Sequence, residues 1–383
     1  YVAYLFAHND GDGEFGPDGD QDIIKCGSYT GDGTTDGSNS INLGFEPQWI
    51  MIKKASEAAN WNIYDNMRGV ITNGSSNIND HFLFPNLTNE EDTQARIAFN
   101  PTGFHLESSN GEVNQSSATY IYMAIRRGPL AAPESASDVF AIDDEQFTGG
   151  DAHAFYSGFT PDMVLEKQPS TTGSWPIATR LQGNKYLVTD GTSAETTGTS
   201  IIWDHMHGAF DPFSGTAYQA WMWKRAPGYF DVVAVKGKTT SGNAEGTMSH
   251  NLGAVPEMIW GKCRNVGRDW QVYHKDLGAS KFLMLQSSAA AGTNSNYWGT
   301  TPTDSVFYAG SEMRNNDNNI FYLFATVAGV SKVGSYTGDG TNSKTIDCGF
   351  SSGARFVLIK RTSGTGSWIT YDTERGITAS DDP

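Results

Sequence analysis

Short apolar segments alternate with polar turn residues along the whole chain. Segments 201–203, 231–236 and 281–285 are rich in β-branched, aromatic and other large apolar residues, as strands are. Gly-Asp-Gly, Asn-Gly and Ser-Gly sequences, which favour tight turns, lie between such segments. No segment has the periodicity of an amphipathic helix longer than two turns. The pattern therefore predicts an all-β chain of β-sandwiches, each made of two antiparallel sheets in a jelly-roll or lectin-like arrangement.

A set of motifs returns along the chain and predicts that one structural unit is used several times. The sequence Gly-Ser-Tyr-Thr-Gly-Asp-Gly-Thr occupies residues 27–34 and again residues 334–341. Both copies continue with a Gly-Phe step, an apolar strand that ends in lysine, a tryptophan and a Tyr-Asp…Arg-Gly ending. Two weaker copies lie between them. We predict that the glycine of the Gly-Phe step takes a positive φ or allows a close backbone approach, and that the step starts a central strand.

The repeated tryptophan gives the length of the unit. Trp61, Trp175, Trp270 and Trp368 are separated by 114, 95 and 98 residues. Solenoid repeats are shorter, at about 20–50 residues, so the spacing predicts one small domain of about 95–115 residues for each repeat. The tryptophan is predicted to pack in the domain core, with stacking on a sugar as the alternative. The predicted divisions are the last strand and acidic linker of a preceding repeat (1–22), repeat 1 (23–130), repeat 2 (138–226), repeat 3 (229–326) and part of repeat 4 (331–383).

An aromatic strand closes each complete repeat, at residues 120–125, 218–223 and 320–325. Residues 1–7 have the same character, so we predict that they close a repeat whose other strands precede them. On this interpretation the sequence is a window from a longer polypeptide. The alternative is a short protein whose two terminal pieces complete one domain together.

The charge of the chain narrows its range of partners. The formal net charge is −17. This charge does not favour binding to nucleic acid, because such binding needs a basic face. It does not favour electrostatic binding to anionic membranes either. No apolar run approaches the roughly 20 residues of a membrane span. We therefore predict no nucleic-acid partner and no membrane insertion. The three cysteines do not occupy equivalent repeat positions, which favours folding in a reducing cytoplasm over a disulfide scaffold.

An acidic, glycine-rich loop at residues 9–22 is the main candidate for a metal site. Alternating carboxylates of this kind can surround Ca²⁺, which takes roughly six to eight oxygen ligands. The loop is not an EF-hand, because Phe15 stands where that motif needs glycine and Gln21 where it needs a bidentate glutamate. A solvated acidic connection between repeats is the alternative. The predicted calcium ligands are Asp10, Asp12, Glu14, Asp18, Asp20 and Asp22.

Repeated carboxylates elsewhere favour structural roles. The aspartate of Gly-Asp-Gly, which is Asp32 in the first copy and Asp339 in the last, is predicted to hydrogen-bond its own turn. A metal ligand is the alternative. The Tyr-Asp…Arg-Gly ending predicts an ion pair that orients a loop, and the two pairs are Asp65 with Arg68 and Asp372 with Arg375.

The candidate catalytic groups do not form a set. Adjacent residues on a strand point to opposite faces, so Asp143, Asp144 and Glu145 do not suit the paired carboxylates of a glycosidase. His205 and His207 share one face of a predicted strand, as two zinc ligands can, but no third ligand is apparent. The chain has no Gly-x-Ser-x-Gly nucleophile motif. We therefore predict a protein that is not an enzyme.

Aromatic residues in loops are candidates for contact with a glycan or another receptor. Tyr297 and Trp298 lie in the polar segment 294–299, and we predict that they are exposed there and make such a contact. Burial of Trp298 between domains is the alternative.

The repeated pattern resembles a repeat of large tail-fibre-like virion structural proteins of marine bacteriophages, cyanophages in particular. Residues 4–15 and 120–129 also resemble that family. The resemblance covers nearly the whole chain and is strongest in the first and last copies. Copy 2 departs most, because it has Phe-Thr-Gly-Gly-Asp at 147–151 in place of the Tyr-Thr-Gly-Asp-Gly loop.

The resemblance implies a non-enzymatic structural protein of the virion surface, such as a tail fibre, that is made in the host cytoplasm and contacts the host surface. The expected partners are other copies of the chain (a homo-oligomer, with a trimer suggested by phage fibres), other virion proteins and a host glycan or protein. Calcium is the only cofactor that the sequence suggests. The alternatives are a bacterial adhesin with tandem carbohydrate-binding modules, a capsid decoration protein, and a polysaccharide depolymerase, which would need carboxylates clustered in a groove.

Overall fold

The computed structural model describes residues 2–8, 21–68, 70, 80–144, 154–198, 201, 203, 207–210, 218–236, 247–310 and 318–376. Almost every regular element in this part of the chain is a strand, and the sheets are antiparallel, which confirms the predicted all-β fold. Helix is confined to the single turn α1 (Ser295–Trp298) and two short 3-10 turns among these residues. No helix of the described residues is long and apolar enough to cross a membrane.

Repeat 1 is a sandwich of a six-stranded and a three-stranded sheet. The larger sheet has the order β1-β9-β3-β4-β5-β6, and the smaller has the order β2-β8-β7. The strands are β1 (Ile24–Thr30), β2 (Ser40–Asn42), β3 (Pro47–Lys54), β4 (Trp61–Asp65), β5 (Asp80–Leu83), β6 (Asp92–Gln94), β7 (Ile97–Asn100), β8 (Gly103–Leu106) and β9 (Thr119–Arg126).

Repeat 2 contains a six-stranded sheet with the order β10-β17-β12-β13-β14-β15 and the pair β11-β16. Its strands are β10 (Phe140–Asp143), β11 (Ala154–Tyr156), β12 (Met163–Lys167), β13 (Pro176–Thr179), β14 (Lys185–Val188), β15 (Thr196–Thr197), β16 (Gly208–Phe210) and β17 (Gln219–Trp223).

Repeat 3 repeats this order as β18-β25-β20-β21-β22-β23 with the pair β19-β24. Its strands are β18 (Phe230–Lys236), β19 (Thr247–Ser249), β20 (Met258–Cys263), β21 (Gln271–His274), β22 (Lys281–Met284), β23 (Gly292–Thr293), β24 (Val306–Tyr308) and β25 (Asn318–Phe324). Repeat 4 contributes one hairpin, β26 (Phe356–Lys360) and β27 (Trp368–Asp372).

The three large sheets therefore share one topology. The closing strand of each repeat lies between the first strand and the strand that ends in lysine, and a meander continues from that strand. Each sheet lies within one predicted repeat range, although the range boundaries themselves stay a prediction. The glycine of the Gly-Phe step has φ of 80° at Gly44, 80° at Gly158 and 74° at Gly349, as predicted, because glycine alone takes this conformation without strain.

The core of repeat 1 shows how alternation along a strand builds the sandwich. On β3, Ile50 and Ile52 are buried, and on β9 Tyr120 and Ala124 lie on the same inner face. Burial of each large side chain contributes about 1.5–3 kcal/mol. The opposite face of this sheet carries the intervening residues.

The chain forms two compact units. The first consists of Tyr1–Ala131, Arg180–Gly183 and Val233–Lys236. The second consists of Ala132–Thr179, Asn184–Val232 and Gly237–Pro383, and it holds the hairpin of repeat 4 and most of repeats 2 and 3. Residues 1–7 were predicted to close a preceding repeat, but the described part of that segment, residues 2–7, forms no strand, and Val2, Tyr4 and Leu5 are exposed.

Candidate functional site: the repeat-packing face

The six-stranded sheets of the second unit are buried on both faces. In β17, Ala220 and Met222 belong to the core of repeat 2, and alternation places Trp221 and Trp223 on the opposite face. Those two tryptophans are nevertheless only 0% and 5% exposed. We call this outward face of each large sheet the repeat-packing face. It carries Leu165, Trp221 and Trp223 in repeat 2, Trp260, Tyr322 and Phe324 in repeat 3, Phe356 and Leu358 in repeat 4, and Met51, Ile121 and Met123 in repeat 1.

Three repeats meet at one cavity of about 340 Å³ in the second unit. Leu165, Trp260 and Leu358 all line it, and each is the third residue of its strand, β12, β20 or β26. Equivalent positions of repeats 2, 3 and 4 therefore face a common centre.

The position of the repeated tryptophan is fixed in the same way in each complete repeat. In each of these repeats, a side-chain oxygen in the turn that follows β5, β14 or β22 accepts a hydrogen bond from the backbone N–H of the tryptophan, at 2.9–3.0 Å. The pairs are Asn86 with Trp61, Asp190 with Trp175 and Gln286 with Trp270. This shared bond sets the residue equivalence between repeats.

The tryptophan indole connects one repeat to the one before it. Trp270 Nε1 of repeat 3 donates to the Val188 carbonyl of repeat 2 at 2.8 Å. Trp368 Nε1 of repeat 4 donates to the Met284 carbonyl of repeat 3 at 3.0 Å. Val188 and Met284 both end the strand that precedes the equivalent turn, so the same contact is made twice.

The lysine that ends the apolar strand makes a second repeated contact. Lys262 Nζ donates to the Thr192 carbonyl at 3.1 Å, and Lys360 Nζ donates to the Ser288 carbonyl at 3.0 Å. Both acceptors lie four residues after the carbonyl that accepts from the indole. Each lysine and tryptophan of one repeat thus bind two carbonyls of the preceding repeat.

A backbone hydrogen bond in the opposite direction completes the contact. Glu195 N donates to the Arg264 carbonyl at 2.7 Å, and Ala291 N donates to the Thr362 carbonyl at 3.0 Å. These residues are also equivalent between repeats. One head-to-tail geometry therefore joins repeat 2 to repeat 3 and repeat 3 to repeat 4.

The contact between repeats 2 and 3 also contains a buried ion pair. Arg264 Nε lies 2.7 Å from Glu195 Oε2, and the two side chains are 1% and 6% exposed. Lys185 lies 3.6 Å from the same glutamate. Burial lowers the pKa of Lys262 to about 8, because desolvation disfavours the charged ammonium.

A further contact links repeat 4 back to repeat 2. The Phe356 ring lies 5.7 Å from the rings of both Phe140 and Trp223. The Asp372 carboxylate is fully buried and accepts from Gln219 Nε2 at 3.1 Å and from Trp221 Nε1 at 3.3 Å. Repeats 2, 3 and 4 therefore each contact the other two, and the contact of repeat 4 with repeat 2 uses different groups from the two head-to-tail contacts.

The predicted Asp–Arg pairs are confirmed. Arg375 lies 2.7 Å from Asp372, and Arg68 lies 2.5 Å from Asp65. The Gly-Asp-Gly turns also behave as predicted, since Asp32 and Asp339 each accept from the backbone N–H and the hydroxyl of the threonine two residues later. These backbone bonds, before other causes, lower the pKa of both carboxyls.

The predicted calcium site falls mostly outside the described residues. Of its six carboxylates only Asp22 is described, and its backbone carbonyl accepts from Arg126 Nη1 at 3.4 Å. The other five, Asp10, Asp12, Glu14, Asp18 and Asp20, lie among residues 9–20. Within the described residues, no group of three or more His, Cys, Asp and Glu could hold a metal ion.

The exposure predicted for Trp298 is wrong. Its side chain is 1% exposed, because the turn α1 directs the indole against Tyr273, with ring centres 5.8 Å apart. Tyr297 is half-buried and stacks on Phe282 at 4.0 Å. The prediction of a receptor contact therefore has no exposed indole to support it here.

The remaining candidate groups are only partly described. Asp143 Oδ2 accepts from the Tyr156 backbone N–H at 2.6 Å. Glu145 and His205 lie outside the described residues, so neither the carboxylate cluster nor the His-x-His pair is seen as a set.

The family model described as Domain of unknown function (DUF7483) matches residues 1–129 and 148–382. The chain belongs to this family. The first segment that matches the DUF7483 family contains the large sheet of repeat 1. The second segment contains strands β11–β27. Comparison with the curated proteins and with the solved structures found no match.

Sequence reasoning found the tryptophan and lysine as repeated motifs but not their partners. The acceptors are backbone carbonyls, which any residue supplies, so Val188 and Ser288 carry no sequence signal. The spacing from the motif tryptophan to the turn residue that accepts from its backbone N–H is 25, 15 and 16 residues in repeats 1, 2 and 3, so it gives no constant signal either.

Proposed function

We propose that this chain is a non-enzymatic structural protein, a tail fibre or similar appendage on a virion surface, whose repeats assemble through their repeat-packing faces. The observation that carries the proposal is the head-to-tail contact made twice with the same hydrogen bonds, Trp270 to Val188 and Trp368 to Met284. A geometry that is reused between successive repeats suits construction of a rod or cluster of domains.

The chemistry of these contacts supports a structural role. The acceptors are backbone carbonyls, and the large aromatic side chains around them are covered by other repeats. A catalytic site needs reactive side chains that converge on an open pocket. Here the lysine, tryptophan and glutamate side chains are engaged by neighbouring repeats.

The virion location and the host contact draw their support from the resemblance of the repeated motifs to tail-fibre-like proteins. Several repeats on one appendage would present several weak binding sites together, and avidity would raise the overall affinity. The receptor would be a glycan or a protein of the host surface.

Immunogold electron microscopy tests the location. Antibodies raised against the purified chain should label the tail or fibres of phage particles whose genome carries this sequence. Labelling of the capsid shell would instead indicate a decoration protein, and labelling of bacterial surfaces without particles would indicate an adhesin. Either result contradicts the appendage role.

A competition assay tests the host contact. The purified chain, added in excess, should slow adsorption of the same phage to its host cells. An unrelated acidic β-sandwich protein at equal concentration is the control, and an unchanged adsorption rate would contradict host binding by this part of the molecule.

A further inference from the structure

The cavity of about 340 Å³ in the second unit combines aromatic rings with small polar groups. Its aromatic lining residues are Trp175, Trp260, Phe356 and Trp368. Its polar lining residues include Asp190, Ser288, Ser367 and Thr370. The first three of these polar residues are exposed, so the cavity opens to solvent. Pockets for small ligands have about this size, roughly 300–1,000 Å³, and a similar mixture of apolar walls and a few polar groups.

One polar group of the lining is buried without a partner. Trp260 is 3% exposed, and its Nε1–H makes no hydrogen bond within the part of the chain that the structure describes. An unpaired buried donor is destabilising, and the indoles of Trp270 and Trp368 both donate to carbonyls. Because Trp260 lines the cavity, an acceptor oxygen of a ligand held there would satisfy its donor.

Asp190 supplies an acceptor at the open side of the cavity. Its Oδ1 accepts from the Trp175 backbone N–H at 2.9 Å, and its Oδ2 has no hydrogen-bond partner among the described residues. A carboxylate oxygen of this kind accepts a hydrogen bond from a hydroxyl group. Asp190 is the one acidic residue in the described lining, whereas hydrolysis of a glycosidic bond needs two carboxyl groups. The site is therefore suited to binding and not to cleavage.

Trp175 offers a flat apolar surface next to this carboxylate. One face of its ring stacks on Trp221, with ring centres 5.4 Å apart and planes inclined by 17°. The side chain is half-buried and lines the cavity, so part of the ring stays accessible. A pyranose sugar has C–H groups on one face and hydroxyls around its rim. It therefore matches an indole surface that is bordered by hydrogen-bonding groups.

We propose that this cavity binds a neutral pyranose sugar, as one or two residues of a surface glycan. Trp175 would stack against the C–H face of the sugar, Asp190 Oδ2 would accept from a hydroxyl, and Trp260 Nε1 would donate to a sugar oxygen. Asp190 and the net charge of −17 repel a carboxylate or a sulfate, so the site selects neutral sugars over acidic ones.

A quaternary ammonium is the other class of ligand that aromatic rings and a carboxylate attract. Its methylated head carries no acceptor for a hydrogen bond. It would leave the Trp260 Nε1–H as it is in the free protein, buried and unpaired. The unpartnered donor therefore favours the sugar.

This inference rests on the host contact proposed above for its biological role, and it gives that contact a site and a class of ligand. A chain that binds sugar but fails to slow phage adsorption would refute the host contact and leave the site standing. A chain that slows adsorption but binds no sugar would refute the site and leave the host contact standing.

Methyl NMR of the 383-residue chain, labelled at leucine, tests the site. The probes are the methyl pyranosides of glucose, mannose, galactose and N-acetylglucosamine. At least one should shift the signals of Leu165, Leu285 and Leu358, which line the cavity, with a Kd of about 1 mM. Leu43 and Leu106 lie in the core of repeat 1 and should not shift. Glucuronate and tetramethylammonium should leave all five signals unchanged.

Two variants remove the proposed hydrogen bonds to the sugar. Asp190→Asn keeps Oδ1 for the Trp175 backbone bond and removes the carboxylate, so it should fold and bind the sugar about tenfold more weakly. Trp260→Phe removes a donor that makes no bond in the free protein, and it should weaken binding by a similar factor. Asp339→Asn is the matched control, because Asp339 also accepts a backbone N–H, from Thr341 at 2.9 Å, but does not line the cavity. It should bind as the wild type does.

Circular dichroism shows whether each variant has kept its β structure. Unchanged signals of the three cavity leucines with every sugar would overturn the proposal. Shifts caused by tetramethylammonium alone would overturn it as well. So would sugar binding that Asp190→Asn and Trp260→Phe both leave at the wild-type affinity.

Discussion

Repeats 1 and 3 have the same sheet order, but the outer face of the large sheet is more exposed in repeat 1 than in repeat 3. In repeat 3, Tyr322 is fully buried and Trp260 is 3% exposed, while in repeat 1 the equivalent Met123 and Met51 are half-buried. The inner face is buried in both. The sandwich core and the repeat-packing face are therefore separate features of one sheet, and only the second depends on neighbours.

This difference indicates which contacts stabilise each repeat. Repeat 1 has an aromatic core of its own, in which Tyr29 stacks on Tyr120 at 5.0 Å and Phe104 packs edge-on against both Tyr29 and Tyr122. Repeats 2 and 3 bury charged groups, indoles and lysine between them. We therefore expect mutations at the repeat contacts to destabilise the second unit far more than the same changes at equivalent positions of repeat 1.

The ion pair between repeats 2 and 3 gives the largest expected effect. Glu195→Ala leaves the Arg264 guanidinium buried without its carboxylate, and loss of one partner of a buried pair costs about 3–5 kcal/mol. The free energy of unfolding of the second unit, measured by urea denaturation, should fall by about that amount.

Glu91→Ala is the matched control for this prediction. Glu91 occupies the equivalent position in repeat 1, but its side chain is 38% exposed and pairs with His81 at the surface. Surface pairs contribute about 0–1 kcal/mol, so this variant should unfold almost as the wild type does. Equal losses in the two variants would contradict the contrast between the repeats.

The indole hydrogen bond gives an intermediate effect. Trp270→Phe removes the buried indole N–H that donates to the Val188 carbonyl and leaves space beside it, so we expect a loss of about 1–3 kcal/mol. Trp61→Phe removes an indole N–H that donates to no carbonyl of the described residues, so it should change stability by less than about 0.5 kcal/mol. Thermal unfolding followed by circular dichroism compares the two, and a larger loss from Trp61→Phe would reverse the comparison.

Local turn chemistry was predictable from the sequence. The Asp32 and Asp339 turns and the Asp–Arg pairs form between residues two or three positions apart, so the spacing alone defines them. The all-β class followed from strand length and turn density for the same reason. These features depend only on residues that are close together in the sequence.

The contacts between repeats were not predictable in this way. The repeated tryptophan was expected in the sandwich core, but Trp270 lies at the repeat contact with its N–H on a carbonyl of repeat 2. Both positions demand a large apolar residue, so its identity does not distinguish them. Trp298 shows the converse, because its polar neighbours suggested exposure although a single helical turn brings its ring onto Tyr273.

The buried lysine gives an effect that is absent at neutral pH and appears only as the pH rises, which makes it the most specific one. Lys262 in the folded protein loses its proton near pH 8, whereas an unfolded lysine keeps its proton up to about pH 10.4. Between these values the unfolded state binds more protons, so the contribution of Lys262 makes the protein more stable as the pH rises. Below pH 8 both states are protonated, and this contribution stays constant.

Lys262→Met isolates that contribution, because methionine fills similar space and does not titrate. The difference in unfolding midpoint between the variant and the wild type should be constant from pH 6 to about pH 7.5. It should then shift in favour of the wild type as the pH rises from about 8 to 10. A difference that stays flat over the whole range would mean that the ammonium is not desolvated at the contact. Since repeats 2 and 3 create that burial together, a flat difference would also weaken the distinction between the covered face of repeat 3 and the open face of repeat 1.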